Sequence, residues 1–366
     1  MKLVVDAPLN SLSFGNVAFN IIRELHKRDV DLRIFPIGNP DLQAYDIEED
    51  LKRYIEDAIN RRLDFFKPDI PCLKLWHLNG SENRKNKDQY LFTFYECNEP
   101  SDFEVKLSRG QDHTFFSSNY SRDAFFERGA SNTSFLPLGF DPDFFPTNKK
   151  YLEGVTHFGL MGKFENRKHT AKIIKTWVKR YGNNSKYQLT CCVNNTFFKP
   201  EQMQGVIQGA LEGKNYTNVN FLPHLQKNSE VNDLLNSLDI DLTGLSGGEG
   251  WNLPAFNATA LGKWGVVLNA TSHKDWATPT NSILVEPSGS MPVYDGVFFN
   301  EGTPFNNGTF YTWTEEEAIA AMEKAESKVG QVNTEGQKLA GEFTYSRTVD
   351  LILSTIFEET GRIICN

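Results

Sequence analysis

Residues 246–254 read Ser-Gly-Gly-Glu-Gly-Trp-Asn-Leu-Pro, and the chain continues Ala-Phe-Asn-Ala-Thr-Ala-Leu-Gly to residue 262. Ahead of this run lies a short apolar strand at 240–242, and behind it a helix starting near Pro254 and a strand at 265–269. A glycine-rich loop between strand and helix lets a ligand come close to the backbone at Gly247, Gly248 and Gly250. Pro254 suits the first helical position and Gly262 the residue after the helix. The helix therefore starts at Leu253 with unpaired N–H groups and a positive dipole end, a natural seat for a diphosphate. Glu249 stands just ahead of it, where it either accepts hydrogen bonds from sugar hydroxyls or is a solvent-exposed carboxylate on a structural loop.

Outward from this loop, strands and helices alternate along most of the chain. Toward the N-terminus of the loop, strands are expected at 155–161, 187–193 and 218–222, with helices at 169–181, 200–211 and 229–238. Earlier still, strands are expected at 2–6, 31–37, 73–78, 91–95, 114–117 and 134–138, with helices at 15–27 and 121–128. Strands interleaved with helices make parallel sheets covered on both faces. The stretch 140–150 (FDPDFFPTNKK) breaks the pattern with two prolines and reads as a linker. The expected fold class is α/β, two doubly wound Rossmann-like domains facing each other across a cleft. Their ranges are 1–147 and 148–345, with a last helix at about 346–359 inside a segment 346–366 that crosses back.

The chain has 366 residues, 39% of them apolar, and a net charge of −9. Basic residues are spread rather than clustered, which speaks against tight, sequence-independent binding to nucleic acid. The start MKLVVDAPLN reads as a buried strand rather than a leader, and no run of about 18 apolar residues suggests a membrane span. Five cysteines (72, 97, 191, 192 and 365) lack metal-site spacing and fit free thiols in a reducing, cytoplasmic setting.

Two other segments carry chemistry. Gly162-Lys-Phe-Glu-Asn-Arg-Lys168 follows a strand, so Lys163 and Lys168 emerge at a strand-to-helix turn. Two ammonium groups there could hold a leaving diphosphate and stabilise the charge that develops on it; the alternative is a solvated basic turn. In Ser11-Leu-Ser-Phe-Gly-Asn-Val17, Gly15 opens a helix after the first strand. That glycine serves either a ligand or simply the turn. Glu96, in TFYECNEP, orients an acceptor hydroxyl or is a surface carboxylate; His77 and His273 are expected to be structural.

These pieces together resemble the GT-B-fold, retaining glycosyltransferases of family four, over most of the chain and most strongly from about 113 to 285. SFGNVAFNIIRELHKRDVDLRIFPI looks like that family's glycine loop and first helix. FFSSNYSRDAFFERGASNTSFLPLGFDPDFF looks like the end of its first domain. FGLMGKFENRKH matches its strand–Gly–(Arg/Lys)–x4–Lys turn, and EGWNLP its donor loop. The resemblance implies a nucleotide-sugar glycosyltransferase with Lys163 and Lys168 on phosphate-binding positions and Glu249 against the transferred sugar. It implies donor binding, to a UDP- or GDP-sugar, by Gly15, Gly248, Gly250, Trp251, Asn252, Leu253 and Asn257. It places Asn16 and Glu96 on the acceptor side, and it implies metal-independent transfer to a carbohydrate or other hydroxyl acceptor, with no cofactor.

One departure stands out. Where the family carries a second glutamate for the ribose, this chain has Asn257. An amide offers one carbonyl acceptor and no charge. Two further readings stand beside this one: a transferase acting on modified nucleic-acid bases, which the asparagine-, lysine- and phenylalanine-rich composition suits, and, from Asn257, a nucleotide-sugar-binding protein without turnover.

Overall fold

The computed structural model describes residues 1–65 and 69–361. The chain divides into two compact units, one of Met1–Asp141, Gly302–Asn307 and Phe343–Asn366, the other of Pro142–Glu301 and Gly308–Glu342. The excursion 302–307, absent from the sequence reading, assigns a short piece of the second half to the first unit.

In the first unit, β1 (Lys2–Ala7), α1 (Ser13–His26), β2 (Asp31–Pro36), α2 (Glu49–Asn60), β3 (Cys72–Leu75) and β4 (Gln89–Thr93) are followed by α3 (Asp102–Arg109), β5 (His113–Phe116), α4 (Asn119–Phe126) and β6 (Thr133–Phe135). All six strands are parallel in the order β2-β1-β3-β4-β5-β6. Leu3, Val5, Leu73, Leu75, Leu91 and Phe92 are wholly buried, as near-continuous apolar strands covered on both faces must be. On α1 the buried stripe is Val17, Ala18, Ile21, Ile22 and Leu25, the spacing of one helical face. The helices α2 and α3 were not foreseen. Their apolar content is low, yet Ser101 and Glu104 form a reciprocal capping box at the start of α3, a signal present in the sequence as S-x-x-E. The strand expected over 73–78 stops at Leu75, where the chain bends at Trp76.

In the second unit come β7 (Thr156–Met161), α5 (Thr170–Tyr181), β8 (Tyr187–Cys192), α6 (Pro200–Ala210), β9 (Val219–Phe221), α7 (Asn228–Ser237), β10 (Ile240–Asp241), α8 (Leu253–Ala260), β11 (Trp264–Leu268) and β12 (Ser282–Val285). Six parallel strands run in the order β12-β11-β10-β7-β8-β9. An antiparallel hairpin, β13 (Gly289–Pro292) with β14 (Thr309–Thr312), precedes α9 (Glu315–Glu326) and α10 (Thr334–Glu342). None of β12, the hairpin, α9 or α10 was expected. The core gathers Phe158, Trp177 and Tyr181 with Leu189, Ile240 and Val266. The last helix, α11 (Tyr345–Thr360), lies in the first unit, where Thr348 Oγ1 donates to Pro137 O at 2.7 Å and Asp350 pairs with Arg28 at 2.8 Å.

The boundary between units falls at Asp141/Pro142, earlier than the expected 147. Residues 142–150 are not a loose linker. Asn232 and Asn236 on α7 accept from the backbone N–H groups of Phe145 and Thr147 at 3.1 and 2.7 Å, and Asn236 Nδ2 donates to Phe145 O at 3.0 Å. Two side-chain amides thus satisfy a proline-broken backbone that has no strand partner. Cys72, Cys97, Cys191 and Cys192 are buried and form no disulfide; Cys365 lies outside the described residues.

Candidate functional site in the second unit

The second sheet changes winding direction between β7 and β10, and in open α/β sheets ligands bind outside the carboxyl ends of the strands at such a point. Two loops leave those ends: 162–169 after β7, with Lys163 and Lys168, and 242–252 after β10, with the glycine-rich run. Both are drawn together by charge. Lys168 Nζ lies 2.6 Å from Glu249 Oε1, and Arg167 Nη1 lies 2.9 Å from Glu249 Oε2. Arg167 Nη2 reaches Glu165 Oε2 at 2.9 Å, and Glu165 Oε1 lies 3.3 Å from Lys163 Nζ. The result is a ladder of alternating sign, Lys163–Glu165–Arg167–Glu249–Lys168, with one positive charge in excess.

Glu249 is 5% exposed, so it is not the solvated carboxylate of the alternative reading. Burial alone raises such a carboxyl, but the fields of Lys168 and Arg167 overcome that and hold Glu249 well below the usual carboxylate range. Glu165 behaves alike: burial raises it, and Arg167, Lys163 and Lys168 bring it below its ordinary value. Lys163 is the most open member. Its ammonium lies 5.3 Å from the ring centres of both Phe197 and Phe298, which meet edge to face.

The glycine loop is clamped from two sides. Gly247 N donates to Arg167 O and Gly247 O accepts from Tyr311 N, both at 2.9 Å. A Cβ there would stand 2.2 Å from Tyr311 O and 2.5 Å from His169 Nε2, so only glycine fits. His169 itself is left-handed, with φ of 53°, and its Nε2 donates to Tyr311 O at 2.8 Å. Burial drives its pKa down to about 4, which keeps the imidazole neutral.

At the far end of the loop, Asn252 (φ 69°) precedes α8 with no side-chain cap on the first-turn N–H groups. Leu253 and Pro254 are half-buried, so that helix start keeps partial access to solvent. Asn252 Nδ2 donates to Thr243 O at 3.1 Å and to His273 Nε2 at 3.0 Å. His273 Nδ1 in turn donates to Leu268 O at 2.9 Å, and burial takes its pKa down to about 4. Its neutral tautomer is therefore a strut for the loop, as expected of a structural histidine. Asn257, on α8, is 5% exposed, and its Oδ1 is buried without a hydrogen-bond partner.

The sequence-expected residues divide as follows. Lys163, Lys168, Glu249, Gly248, Gly250, Trp251, Asn252, Leu253 and Asn257 all fall in the second unit. Gly248 O accepts from Arg167 Nη1 at 2.5 Å, and Gly250 is buried. Trp251, at 3% exposed, packs its ring on Phe256 and its carbonyl accepts from Trp276 Nε1, so the indole serves the packing of the loop. Gly15, Asn16 and Glu96 fall in the first unit. Gly15 is required by the turn: a Cβ would stand 2.4 Å from Asn10 O. Asn16 Nδ2 donates to Asp141 Oδ2 at 3.0 Å, and Glu96 is half-buried just beyond β4. Arg167 and Glu165 were missed. Their signal was charge of alternating sign at 163, 165 and 167, at a strand-to-helix turn. Among the described residues, no group of three or more His, Cys, Asp and Glu could hold a metal, and no helix is long and apolar enough to cross a membrane.

No family model matches the sequence, and no curated protein matches it either. Solved structures do. Sucrose-phosphate synthase from Thermosynechococcus elongatus is 12% identical, with 98% of each chain covered and a TM-score of 0.66. HepE from Anabaena, in complex with UDP and glucose, is 12% identical over 98% of this chain and 100% of its own, with a TM-score of 0.68. α,α-Trehalose-6-phosphate synthase from Burkholderia multivorans is 12% identical over 100% of this chain and 99% of its own, with a TM-score of 0.63. The likeness, with the two six-stranded parallel sheets, shows a GT-B fold of two Rossmann-like units.

Proposed function

We propose that this chain is a retaining, metal-independent glycosyltransferase of the family-four kind that uses a nucleotide-sugar donor, a UDP- or GDP-sugar. The observation that carries the reading is the meeting of Lys168, Arg167 and Glu249 at the switch point of the second sheet, beside the uncapped start of α8. A diphosphate there gains the ammonium groups of Lys163 and Lys168 and the N–H groups near Leu253. It competes with Glu249 for Lys168, which frees a carboxylate oxygen to accept from the hydroxyls of the sugar. Gly248, Gly250, Asn252 and Asn257 complete the donor side in this reading, and Asn16 and Glu96 of the first unit act on the acceptor.

In the reaction, the bond from the anomeric carbon to the leaving phosphate oxygen breaks and the acceptor oxygen bonds to the same face. A donor phosphate oxygen takes the acceptor proton. Negative charge accumulates on the departing diphosphate, so the chain's own contribution is positioning and charge stabilisation. The same proposal includes a cytoplasmic location, in keeping with four buried cysteines that form no disulfide.

One of the similar structures holds UDP and glucose, which makes UDP-glucose the first donor to test. Incubation with UDP-glucose and GDP-mannose, with and without a chelator, should release free nucleotide at the same rate in both conditions. Loss of release in the chelator overturns metal independence. A second reading, donor binding without turnover, is favoured by Asn257; it predicts that UDP raises the melting temperature while no nucleotide sugar is consumed.

A further inference from the structure

In the second sheet, alternation along the strands sends Phe158, Leu189 and Cys191 into the core on one face. His157, Gln188 and Thr190 therefore share the other face, and the pairing of Thr190 with Asn220 adds Asn220 of β9 to them. Both faces of a parallel sheet are ordinarily apolar. Here one of them carries an imidazole, two amides and a hydroxyl. These groups line a cavity of about 580 Å³, a volume within the range of small-molecule sites. Leu222 and Leu225, beyond β9, and Leu234 of α7 give it apolar walls.

The bonds these groups already make decide what a ligand would meet. His157 Nδ1 lies 3.2 Å from Ser237 O, which only accepts, so the ring proton sits on Nδ1. Burial pushes the His157 pKa below its ordinary value, which leaves Nε2 bare. Nε2 therefore accepts from Thr190 Oγ1, 2.7 Å away, and the hydroxyl oxygen keeps only lone pairs for a ligand. Gln188 Nε2 donates to Leu189 O at 3.2 Å, and Thr217 Oγ1 donates to Asn183 Oδ1 at 3.4 Å. Their oxygens, too, are left as acceptors.

Charge is nearly absent. No lysine or arginine lines the cavity. Lys149 and Lys150, just before the lining residue Tyr151, are paired with Asp233 at 3.2 Å and Asp239 at 2.6 Å. The carboxylate that does line it, Glu230, accepts from Gln226 N and Lys227 N at 2.8 and 3.0 Å at the start of α7. A phosphate would meet lone pairs and no cation. A polyamine would meet a single carboxylate already engaged. A ligand with several hydroxyls donates to the oxygens and rests its C–H groups on the leucines.

We infer that this cavity is a binding site for an uncharged saccharide, separate from the loops that carry Lys168 and Glu249. His157 and Gln188 are the second residues of β7 and β8, whereas the charged loops leave the carboxyl ends of β7 and β10. From His157 to Gly162 the chain covers about 17 Å at about 3.3 Å per residue. The cavity runs along β8 and β9, toward the edge of the sheet and away from β10. Its role is to hold a sugar without acting on it. Under the transferase reading, that sugar is a distant part of a longer glycan.

Saturation-transfer NMR with the full chain, in the presence of saturating UDP, tests this. Methyl α-D-glucopyranoside and maltotriose should show transfer; glucose 6-phosphate and spermidine should bind much more weakly. Gln188→Leu and, at the exposed position, Asn220→Ala should each weaken the neutral sugars about three- to tenfold. No transfer to neutral sugars at millimolar concentration overturns the site, as does tighter binding of glucose 6-phosphate or spermidine, or binding unchanged in both variants. Neither variant should alter UDP release from UDP-glucose; a parallel loss of sugar binding and UDP release overturns the separation from the donor loops. Absence of UDP release in the unaltered protein sinks the transferase reading and leaves the saccharide site standing.

Discussion

Lys168 and Glu249 stand 81 positions apart in the chain and 2.6 Å apart in space, joined by a hydrogen-bonded ion pair that is almost wholly buried. A diphosphate and a sugar would each take one member of this pair. Lys168→Ala should therefore abolish the rise in melting temperature caused by UDP and lower nucleotide release about 10²–10³-fold. Arg167 still holds Glu249, so the fold should survive. An unaltered UDP response in the variant would remove Lys168 from the donor site.

Arg167 bridges two buried carboxylates, and its loss has a different signature. Arg167→Leu leaves Glu165 and Glu249 sharing only lysine partners, and breaking a buried pair costs about 3–5 kcal/mol. Both carboxyls have folded pKa values below their ordinary ones, so their favourable contribution is present above about pH 4.3 and fades as pH falls further. The variant loses part of that contribution already at neutral pH. Urea unfolding should accordingly show a deficit that is steady from pH 7 down to about pH 4.3 and shrinks as pH falls below it; a deficit unchanged below about pH 4.3 contradicts the electrostatic account.

Three further buried groups respond to pH, two in the same direction as these carboxyls and one against it. His169 and His273 have folded pKa values of about 4, so each adds up to about 3 kcal/mol that is complete above pH 6.5 and is lost as pH falls toward 4. Asp241, fully buried, is raised to about 7, so it works the other way: stability is lost as pH rises from about 4 through 7. Burial dominates this shift, while hydrogen bonds from Thr243 N and Oγ1 hold it back. Asp241→Asn imitates the protonated acid. It should raise stability at pH 8 and change little at pH 4, as read by urea titration at the two values.

Asn257 presents a buried carbonyl oxygen with no partner, an arrangement that costs about 1–3 kcal/mol. Asn257→Leu should raise the melting temperature of the empty protein and weaken UDP binding, because the lost oxygen is the one proposed for the ribose. Stabilisation with unchanged UDP affinity would assign Asn257 to packing alone.

Much of the architecture was legible because each element carries its own local cause. The buried stripe of α1 and the apolar strands β7 and β8 announce themselves by spacing, and the glycine loop ahead of α8 by its composition. The missed elements lack such causes. The strand β12 and the hairpin β13–β14 are short, and α2 is so polar that only Leu51, Ile55 and Ala58 are buried. The expected linker looked free because its prolines forbid a strand, but the amides that hold it come from α7, far along the chain.

The same division runs through the site. Lys163, Lys168 and Glu249 could be picked out in sequence, since each sits at a strand end beside a turn. That Lys168 and Arg167 share Glu249, that Glu165 completes the ladder, and that Gly247 is pinned by His169 and Tyr311 could not. The residues by themselves determined two alternating α/β halves and which turns carry charge. Which charges pair, which carboxylate is buried and which glycine admits no side chain were decided by tertiary structure, because an ion pair and a steric limit are properties of distance, and folding brings together residues that lie tens of positions apart.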